Sequence, residues 1–448
     1  MLTEIKLKFW TPAHPLVVSF VCVIIAGTLA LRLPIATYRE ISLVDAFFTA
    51  TSAVCVTGLT TVDVSLCFTR FGQSIIIILV QIGGLGIMTF AAFAVWIVRQ
   101  KISLSDRMML EYSFAQGEKA FVLKDFISFI IKYTFLAEFA GAVGFFFSFT
   151  GNHQMGEKIF FAVFHSISSF CNAGFSLHQD SFVKYSNSIS VNLITCFLVI
   201  FGGIGFIVIF ELRNKIYRIL KRKRRKYRTQ MFSLHTWVVL VSTLVLVLAG
   251  SIVIYFLEHI AGDTDISMLE SFFQSVTCRT AGFNTVDIGN LHNSTLLIMM
   301  ILMFIGGSPG STAGGIKTTT FAILTFIMLL GKNNFEDVTA SNKTLPKNIV
   351  YQALLVLLFS FVIVFFSIIF LTIFEPGTIF IKLLFEVFSA FGTVGLSTGI
   401  TEGFTSSSKW VLMVTMFAGR IGSITIFSIF MNRNPGAIKY AEERILVG

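Results

Sequence analysis

A five-residue pattern centred on glycine recurs four times in this chain of 448 residues and restricts how it can fold. The central glycines are separated by 116, 108 and 113 residues, and each follows a short, aromatic-rich apolar run. Such regular recurrence predicts four structural repeats, which we place at 1–100, 101–228, 229–345 and 346–448. The copies read Val56-Thr57-Gly58-Leu59-Thr60, Asn172-Ala173-Gly174-Phe175-Ser176, Thr280-Ala281-Gly282-Phe283-Asn284 and Thr393-Val394-Gly395-Leu396-Ser397.

Composition places these repeats in a membrane. Hydrophobic residues make up 55% of the chain and charged residues 13%, and the mean hydropathy is +0.82, which excludes an ordinary soluble domain. A spanning helix needs about 20 apolar residues, and runs of that size lie near 14–35, 72–98, 127–149, 190–210, 234–257, 294–330 (interrupted), 349–373 and 409–430. Four shorter apolar runs predict re-entrant half-helices, near 44–53, 160–170, 267–277 and 380–391.

The predicted fold is therefore an all-α integral membrane protein. Eight transmembrane helices and four half-helices form four helix, pore loop, helix repeats with pseudo-fourfold symmetry around one central pore. A second glycine motif supports the repeats, because it follows each central glycine after 25, 28, 24 and 24 residues. Its copies are Gly83-Gly84-Leu85-Gly86, Gly202-Gly203-Ile204-Gly205, Gly306-Gly307-Ser308 and Gly419-Arg420-Ile421-Gly422.

The four pore loops have the residue types of an ion-selectivity filter. Glycine permits backbone conformations that turn carbonyl groups toward an axis, where rings of carbonyl oxygens replace the hydration shell of a cation. A lone glycine in an apolar segment more often marks close helix packing, but recurrence in four copies favours a filter, and potassium as its ion. The predicted filter residues, where potassium would bind, are Val56, Thr57, Gly58, Leu59, Asn172, Ala173, Gly174, Phe175, Thr280, Ala281, Gly282, Phe283, Thr393, Val394, Gly395 and Leu396.

The interrupted helix of the third repeat predicts a gate. Its glycine-rich break cannot remain helical in lipid, so its backbone groups need water or protein partners. A passive kink is the alternative; a phosphate-binding loop fits poorly because Lys317 is displaced by one position. Arg420 replaces a glycine in mid-helix, and we expect its guanidinium to contact this break and to repel cations, a packed salt bridge being the alternative. The predicted gate comprises Gly306, Gly307, Ser308, Pro309, Gly310, Ser311, Thr312, Ala313, Gly314, Gly315, Lys317 and Arg420.

Other polar residues in apolar segments have simpler interpretations. Arg279 precedes the third loop, and we expect it to support that loop from behind. Glu138 falls in mid-span, where it is either a proton or sodium coupling site or, as we favour, a buried carboxylate with a partner. The chain has six cysteines, at Cys22, Cys55, Cys67, Cys171, Cys196 and Cys278. Their spacing shows no pairs, so disulfides are not expected, and metal binding by the cysteines near the loops is disfavoured.

The charge distribution predicts the orientation. Net charge is +10, and most Lys and Arg residues fall on one side if both termini are cytoplasmic, as the positive-inside rule requires. We therefore expect a multi-pass protein of the plasma membrane. The basic run from Arg213 to Arg228 is either a topology signal and lipid anchor or a docking site for an acidic partner.

The fourth pore loop, Thr393-Val394-Gly395-Leu396-Ser397, resembles a potassium-channel filter. With the four-repeat layout, the chain resembles the Trk/Ktr/HKT family of potassium transporters, most closely the Ktr-type membrane subunit. The resemblance implies a homodimer mounted on a cytosolic ring of nucleotide-binding regulatory subunits, with nucleotide on the partner only and no cofactor in this chain.

These features predict potassium uptake across the cytoplasmic membrane, gated by the break and Arg420. The alternative is a potassium symporter coupled to sodium or protons. A membrane enzyme is disfavoured, because no paired carboxylates, His–metal spacing or nucleophile–base set accompanies the apolar segments. No nucleic-acid partner is expected, since the positive-inside distribution explains the basic charge.

Overall fold

The structure is a computed structural model that describes residues 13–98, 123–149, 154–220, 232–261, 266–330, 339–340, 343–344 and 346–422. The first repeat contains a long helix, a half-helix, a single turn and a second long helix: α1 Ala13–Leu31, α2 Leu43–Cys55, α3 Val64–Cys67 and α4 Arg70–Val98. The second repeat has the same order, but its last helix is in two parts: α5 Leu123–Ser148, α6 Met155–Phe170, a 3-10 turn at Val183–Tyr185, α7 Ile189–Gly203 and α8 Phe206–Leu220.

The third repeat also ends in a divided helix: α9 Leu234–Ala261, α10 Met268–Thr277, a 3-10 turn at Ile288–Asn290, α11 Asn293–Phe304 and α12 Thr318–Leu330. A short antiparallel pair follows, β1 Thr339–Ala340 with β2 Lys343–Thr344, so the described chain is helical apart from this pair and the connections. The fourth repeat consists of α13 Lys347–Phe374, α14 Phe380–Gly392, a 3-10 turn at Thr401–Gly403 and α15 Ser406–Ile421.

The membrane-spanning character rests on helix length and composition. Within the described residues, three helical segments are individually long and apolar enough to cross a bilayer: Phe126–Ser148, Leu234–Ile260 and Asn348–Phe374. The bent pair Ile189–Gly203 and Phe206–Tyr217 would make a fourth. The predicted spans of the first repeat correspond to shorter apolar stretches, Val17–Leu31 and Arg70–Leu85. The interrupted span of the third repeat corresponds to two short apolar helices, Asn293–Phe304 and Thr318–Leu329.

The prediction of an unbroken helix over 190–210 is wrong. The chain bends by 97° between α7 and α8. The first physical cause is Gly205, whose φ of 99° lies outside the helical range. The second is a hydrogen bond of 2.9 Å from the Phe206 N–H to the Gly310 carbonyl, which replaces a bond within the helix. The final span, predicted over 409–430, ends at Ile421, and the part from 423 onward lies outside the described residues.

Helix packing runs in a closed cycle through the four repeats. Half-helix α6 packs on α4 of the preceding repeat, α10 packs on α7, and α14 packs on α11. The cycle is completed by α2 of the first repeat, which packs on α15 of the fourth. Each half-helix therefore contacts helices of its own repeat and of the one before it in the cycle.

The second glycine motif serves this packing. A Cβ added to Gly83, Gly202 or Gly419 would overlap a carbonyl oxygen of the half-helix in the same repeat, namely that of Val54, Phe170 or Phe391. Each of these carbonyls lies four residues before the central glycine of its loop. The third repeat departs from the pattern, because a Cβ on Gly306 would instead overlap the Gly314 carbonyl within the break. Glycine thus permits close helix approach in the first, second and fourth repeats and permits the break to fold in the third.

Candidate functional site

The four glycine-centred loops share one backbone conformation. In each, the residue two positions before the glycine has a left-handed φ: 57° at Val56, 61° at Asn172, 79° at Thr280 and 49° at Thr393. The central glycines are also left-handed, with φ of 91° at Gly58, 69° at Gly174, 80° at Gly282 and 95° at Gly395. Non-glycine residues rarely adopt such angles, so their presence at one position in all four copies reflects a common constraint.

The loops meet at their glycines. A Cβ added to Gly174 would lie 2.9 Å from the Cα of Gly282, and one added to Gly282 would lie 3.2 Å from the Cα of Gly395. From Gly395 the corresponding distance to the Cα of Gly58 is 3.1 Å, and from Gly58 to that of Gly174 it is also 3.1 Å. The four predicted filter loops are thus brought together in ring order, and a side chain at any of the glycines would strike the next loop.

Electrostatics at this ring favour a cation. Half-helices α2, α6, α10 and α14 each end directly before a loop, so their carbonyl ends, which carry partial negative charge, lie at the ring. Carbonyl oxygens of the loops also lie there, since a Cβ on Gly174 would be 2.7 Å from the Ala281 oxygen. All sixteen predicted filter residues are buried or half-buried, which reduces screening by water.

Two serines anchor the loops, and the sequence analysis missed them. Ser52 Oγ accepts a hydrogen bond of 3.0 Å from the Gly58 N–H, and Ser389 Oγ accepts one of 3.1 Å from the Gly395 N–H. Both serines lie six residues before the central glycine, so aligning the repeats could have found them. In the second repeat Ser168 Oγ donates to the Phe175 carbonyl at 2.8 Å instead.

The predicted gate is a folded loop between α11 and α12. The Gly306 N–H donates to the Ile316 carbonyl at 2.8 Å and the Thr318 N–H to the Gly307 carbonyl at 3.0 Å, which pairs the two ends of the loop. The loop lies against the predicted filter loops at Thr280 and Thr393. A Cβ on Gly306 would be 3.3 Å from Cγ2 of Thr280, and one on Gly314 would be 2.8 Å from Cγ2 of Thr393.

The same loop docks on the bend of the second repeat. The Ser308 N–H donates to the Gly203 carbonyl at 3.0 Å and the Thr312 N–H to the Gly202 carbonyl at 3.3 Å. In the opposite direction, the Phe206 N–H donates to the Gly310 carbonyl at 2.9 Å. Backbone groups that both broken helices leave unpaired thus satisfy one another, which is what an irregular segment at membrane depth requires.

Arg420 bridges this loop and the first repeat. Its side chain is 2% exposed; Nη1 donates to the Thr312 carbonyl, and Nη2 donates to the Gly83 carbonyl at 2.6 Å. The placement of Arg420 in mid-helix is wrong, because α15 ends one residue later and Gly422 has a φ of 93°. A second cation belongs to the loop itself, where Lys317 Nζ donates to the Ala313 carbonyl at 2.7 Å.

The other polar residues predicted within apolar segments, Arg279 and Glu138, have hydrogen-bond partners. Arg279 Nη2 donates to the Gly306 carbonyl and Nη1 to the Thr243 carbonyl, both at 3.3 Å, so this cation joins the break to α9. Glu138 is 5% exposed, and its Oε1 lies 3.9 Å from Cys171 Sγ. Among the described residues no group of three or more His, Cys, Asp or Glu side chains is placed to hold a metal ion, and the cysteines are unpaired.

Comparisons with known proteins show which family this chain is similar to. The family model described as TrkH, cation transport protein, matches residues 3–437. The chain is 37% identical over 450 residues to Ktr system potassium uptake protein B of Bacillus subtilis, covering 99% of this chain and 98% of that protein. It is 36% identical over 457 residues to the potassium/sodium uptake protein NtpJ of Enterococcus hirae, covering 98% of each.

The crystal structure of the potassium transporter TrkH from Vibrio parahaemolyticus has the same fold, with a TM-score of 0.74 at 20% identity, covering 95% of this chain and 86% of that one. The resemblance to the Trk and Ktr transporters is confirmed by the family match and by relatives that align over nearly the whole chain. The chain therefore belongs to the TrkH family of cation transport proteins, and it is a transporter rather than an enzyme.

Proposed function

We propose that this protein is the ion-conducting subunit of a potassium uptake system and passes K⁺ inward down its electrochemical gradient. Relatives named Ktr system potassium uptake protein B, from Bacillus subtilis and Vibrio alginolyticus, are 37% and 35% identical to it and cover 99% and 97% of the chain. The observation that carries the proposal is the ring of four left-handed glycines in mutual contact, Gly58, Gly174, Gly282 and Gly395.

In this proposal the four loops form one selectivity filter on a pseudo-fourfold axis. Backbone carbonyls replace the water around K⁺, and the ends of four half-helices add negative potential. Potassium suits such a ring because it gives up its hydration shell more readily than sodium does. The filter residues are Val56, Thr57, Gly58, Leu59, Asn172, Ala173, Gly174, Phe175, Thr280, Ala281, Gly282, Phe283, Thr393, Val394, Gly395 and Leu396.

The loop between α11 and α12 then acts as the gate, and Arg420 holds it in the closed position. A guanidinium that holds carbonyls of Thr312 and Gly83 at once joins opposite sides of the path, and its charge repels a K⁺ ion that leaves the filter. Opening requires the loop to leave these partners. The gate residues are Gly306, Gly307, Ser308, Pro309, Gly310, Ser311, Thr312, Ala313, Gly314, Gly315, Lys317 and Arg420.

The wider assembly follows the Ktr type in this proposal. Two copies form a homodimer in the plasma membrane, with both termini cytoplasmic, and a cytosolic ring of nucleotide-binding subunits controls the gate. The relatives are named as members of a Ktr system, which supports a separate regulatory subunit. The chain itself carries no cofactor in this proposal, and K⁺ is its cargo.

A flux assay tests the proposed function. Purified protein in K⁺-loaded liposomes that are diluted into K⁺-free buffer should accumulate external ⁸⁶Rb⁺, a close substitute for K⁺, because the outward K⁺ gradient makes the interior negative. Liposomes that contain a Gly395→Asp variant are the matched control, because the new side chain would strike the neighbouring loop at Thr57 and Gly58. If the wild-type protein moves no more ⁸⁶Rb⁺ than this variant, potassium conduction is the wrong assignment.

Coupled symport is the second candidate function. It is favoured by one observation, the similarity at 36% identity to a relative named potassium/sodium uptake protein. The buried carboxylate of Glu138 is the residue that we would place at a coupling site. Reversal potentials separate the two functions: a pore follows the K⁺ gradient alone, whereas obligate coupling shifts the reversal potential when the gradient of sodium or protons is changed.

A further inference from the structure

A fully buried carboxylate lies behind the fourth pore loop. Glu386 is on α14, nine residues before Gly395, and its side chain is 0% exposed. Its Oε1 accepts hydrogen bonds from Ser397 Oγ at 2.8 Å, the Thr398 N–H at 2.8 Å and Thr398 Oγ1 at 3.1 Å. Its Oε2 accepts a fourth bond from Thr401 Oγ1 at 2.7 Å. The carboxylate thus ties the segment that leaves the filter to the half-helix that enters it.

This arrangement is more than a satisfied buried charge. A carboxylate away from water is costly unless it is hydrogen-bonded, and bonds to an ionised acceptor are strong. Any set of donors would meet that requirement, yet all four donors recorded for Glu386 belong to residues 397–401. One side chain therefore holds three of the five residues from 397 to 401, close to Gly395, in the loop that most resembles a potassium-channel filter.

In the other repeats, different half-helix side chains form hydrogen bonds to the segment that follows the central glycine. In the second repeat His165, also nine residues before the central glycine, accepts the Leu177 N–H at Nε2 with a distance of 3.2 Å. In the first repeat the Asp45 carboxylate accepts from Thr61 Oγ1 at 2.8 Å, and in the third Gln274 Nε2 lies 3.4 Å from Thr285 Oγ1. Among these four ties, the one at Glu386 combines complete burial with the most hydrogen bonds.

We propose that Glu386 is a positioning residue that sets the discrimination between K⁺ and Na⁺ by holding Ser397–Thr401 against α14. The proposal rests on the filter function proposed above. A loop held at both ends keeps its carbonyls at the spacing that suits the larger ion. A loop released at its outer end can close around the smaller one, so Na⁺ gains access while K⁺ still passes.

The test compares Glu386→Gln with Glu375→Gln in proteoliposomes. Glutamine keeps the size of the side chain but replaces one acceptor oxygen with an amide N–H₂ among the donors. Glu375 is the matched control, because it also accepts one backbone N–H, from Thr405, and one hydroxyl, from Ser408, both at 2.7 Å, but away from the filter. We expect the ratio of K⁺ to Na⁺ flux to fall by about threefold or more in Glu386→Gln, with K⁺ flux retained, and to stay unchanged in Glu375→Gln.

Thr401→Val is the second variant, because it removes one donor and leaves the carboxylate in place. It should lower the flux ratio less than Glu386→Gln does, and it decides the question if Glu386→Gln does not purify as a folded protein. A flux ratio equal to that of wild type in the folded variants, or an equal fall in Glu375→Gln, would overturn the positioning role. Wild-type protein that conducts no K⁺ would instead refute the proposed function, so the two failures are distinguishable.

Discussion

Single hydroxyl groups determine how the peptides of the first and fourth pore loops are oriented. The N–H of each central glycine points to a serine in the half-helix, Ser52 or Ser389, at 3.0 and 3.1 Å. A peptide whose N–H is held on one side directs its carbonyl to the other, because the peptide group is planar. The carbonyls of Thr57 and Val394 are thereby directed to the neighbouring loops, where they lie closest to Gly395 and Gly282.

Replacing either serine by alanine should weaken selectivity. A neutral hydrogen bond contributes about 1 kcal/mol, so the ratio of K⁺ to Na⁺ flux in Ser52→Ala or Ser389→Ala should fall by up to about fivefold. Ser169→Ala is the control, since the buried Ser169 hydroxyl has no hydrogen-bond partner in the described structure. Flux of both ions into proteoliposomes gives the ratio, and an equal ratio in all three variants would contradict the anchoring role.

Arg420 gives a second prediction for a single residue. Arg420→Ala removes both bonds to carbonyls and the positive charge, so K⁺ flux should increase; each loss of about 1.4 kcal/mol from the barrier makes conduction tenfold faster. Arg420→Lys keeps the charge but cannot reproduce the planar fork, so its flux should lie between those of wild type and Arg420→Ala. Vesicle flux without regulatory subunits measures this, and an Arg420→Ala protein no faster than wild type would exclude the barrier role.

At the scale of elements, the bend between α7 and α8 shows where sequence reasoning stops. The first repeat has Gly83-Gly84-Leu85-Gly86 and the second has Gly202-Gly203-Ile204-Gly205, yet α4 continues through its motif and the second helix breaks. The difference comes from a tertiary partner. The loop of the third repeat presents the Gly310 carbonyl to the Phe206 N–H, and no local pattern in the second repeat records this.

The bend should be sensitive to a side chain at Gly205. Gly205→Ala forces φ of 99° on a residue with a Cβ, and this Cβ would lie 2.8 Å from the Pro309 oxygen. We expect a loss of about 1–3 kcal/mol in stability, seen as a lower unfolding temperature in detergent, and a leak of K⁺ as the proposed gate loop loses its support.

Gly203→Ala is the control, two residues earlier, because its new Cβ would meet only the Asn172 amide at 3.3 Å. It should therefore unfold close to the wild-type temperature. The comparison uses the unfolding temperature, because Asn172 belongs to the proposed filter, and equal losses of stability would show that the left-handed φ at Gly205 does not stabilise the bend.

The repeated elements themselves were predictable, because one pattern occurs four times. The predicted half-helices at 44–53, 160–170, 267–277 and 380–391 correspond to α2, α6, α10 and α14 within a few residues. Residues that tie the loops from behind were not predictable, since the repeats use Asp45, His165, Gln274 and Glu386, which differ in type and in part in position. Only contacts in space show that these side chains have a common role.

On the scale of the whole molecule, the cycle of packed repeats closes where the first meets the fourth. Lys409 on α15 forms an ion pair of 2.7 Å with Asp45 on α2, and the side chains are 12% and 16% exposed. Burial raises the pKa of Asp45, but hydrogen bonds from Lys409, Ser42 and Thr61 and the charge of Lys409 outweigh burial, so the pKa lies below its ordinary value of 3.8. An ionised carboxylate therefore contributes to the closure between the first and last repeats, beside the apolar packing of α2 on α15.

This closure should make part of the stability depend on pH. Because the folded-state pKa of Asp45 is lower than the unfolded one, its contribution is complete well above pH 3.8 and is lost as the pH falls through the lowered pKa. Asp45→Asn should therefore unfold at a lower temperature than wild type at pH 6.5, by an amount that corresponds to about 1–3 kcal/mol, and the difference should shrink toward pH 3. Thermal unfolding of both proteins in one detergent isolates Asp45 from the other carboxylates, and equal unfolding temperatures at pH 6.5 would show that this ion pair does not help to hold the first and fourth repeats together.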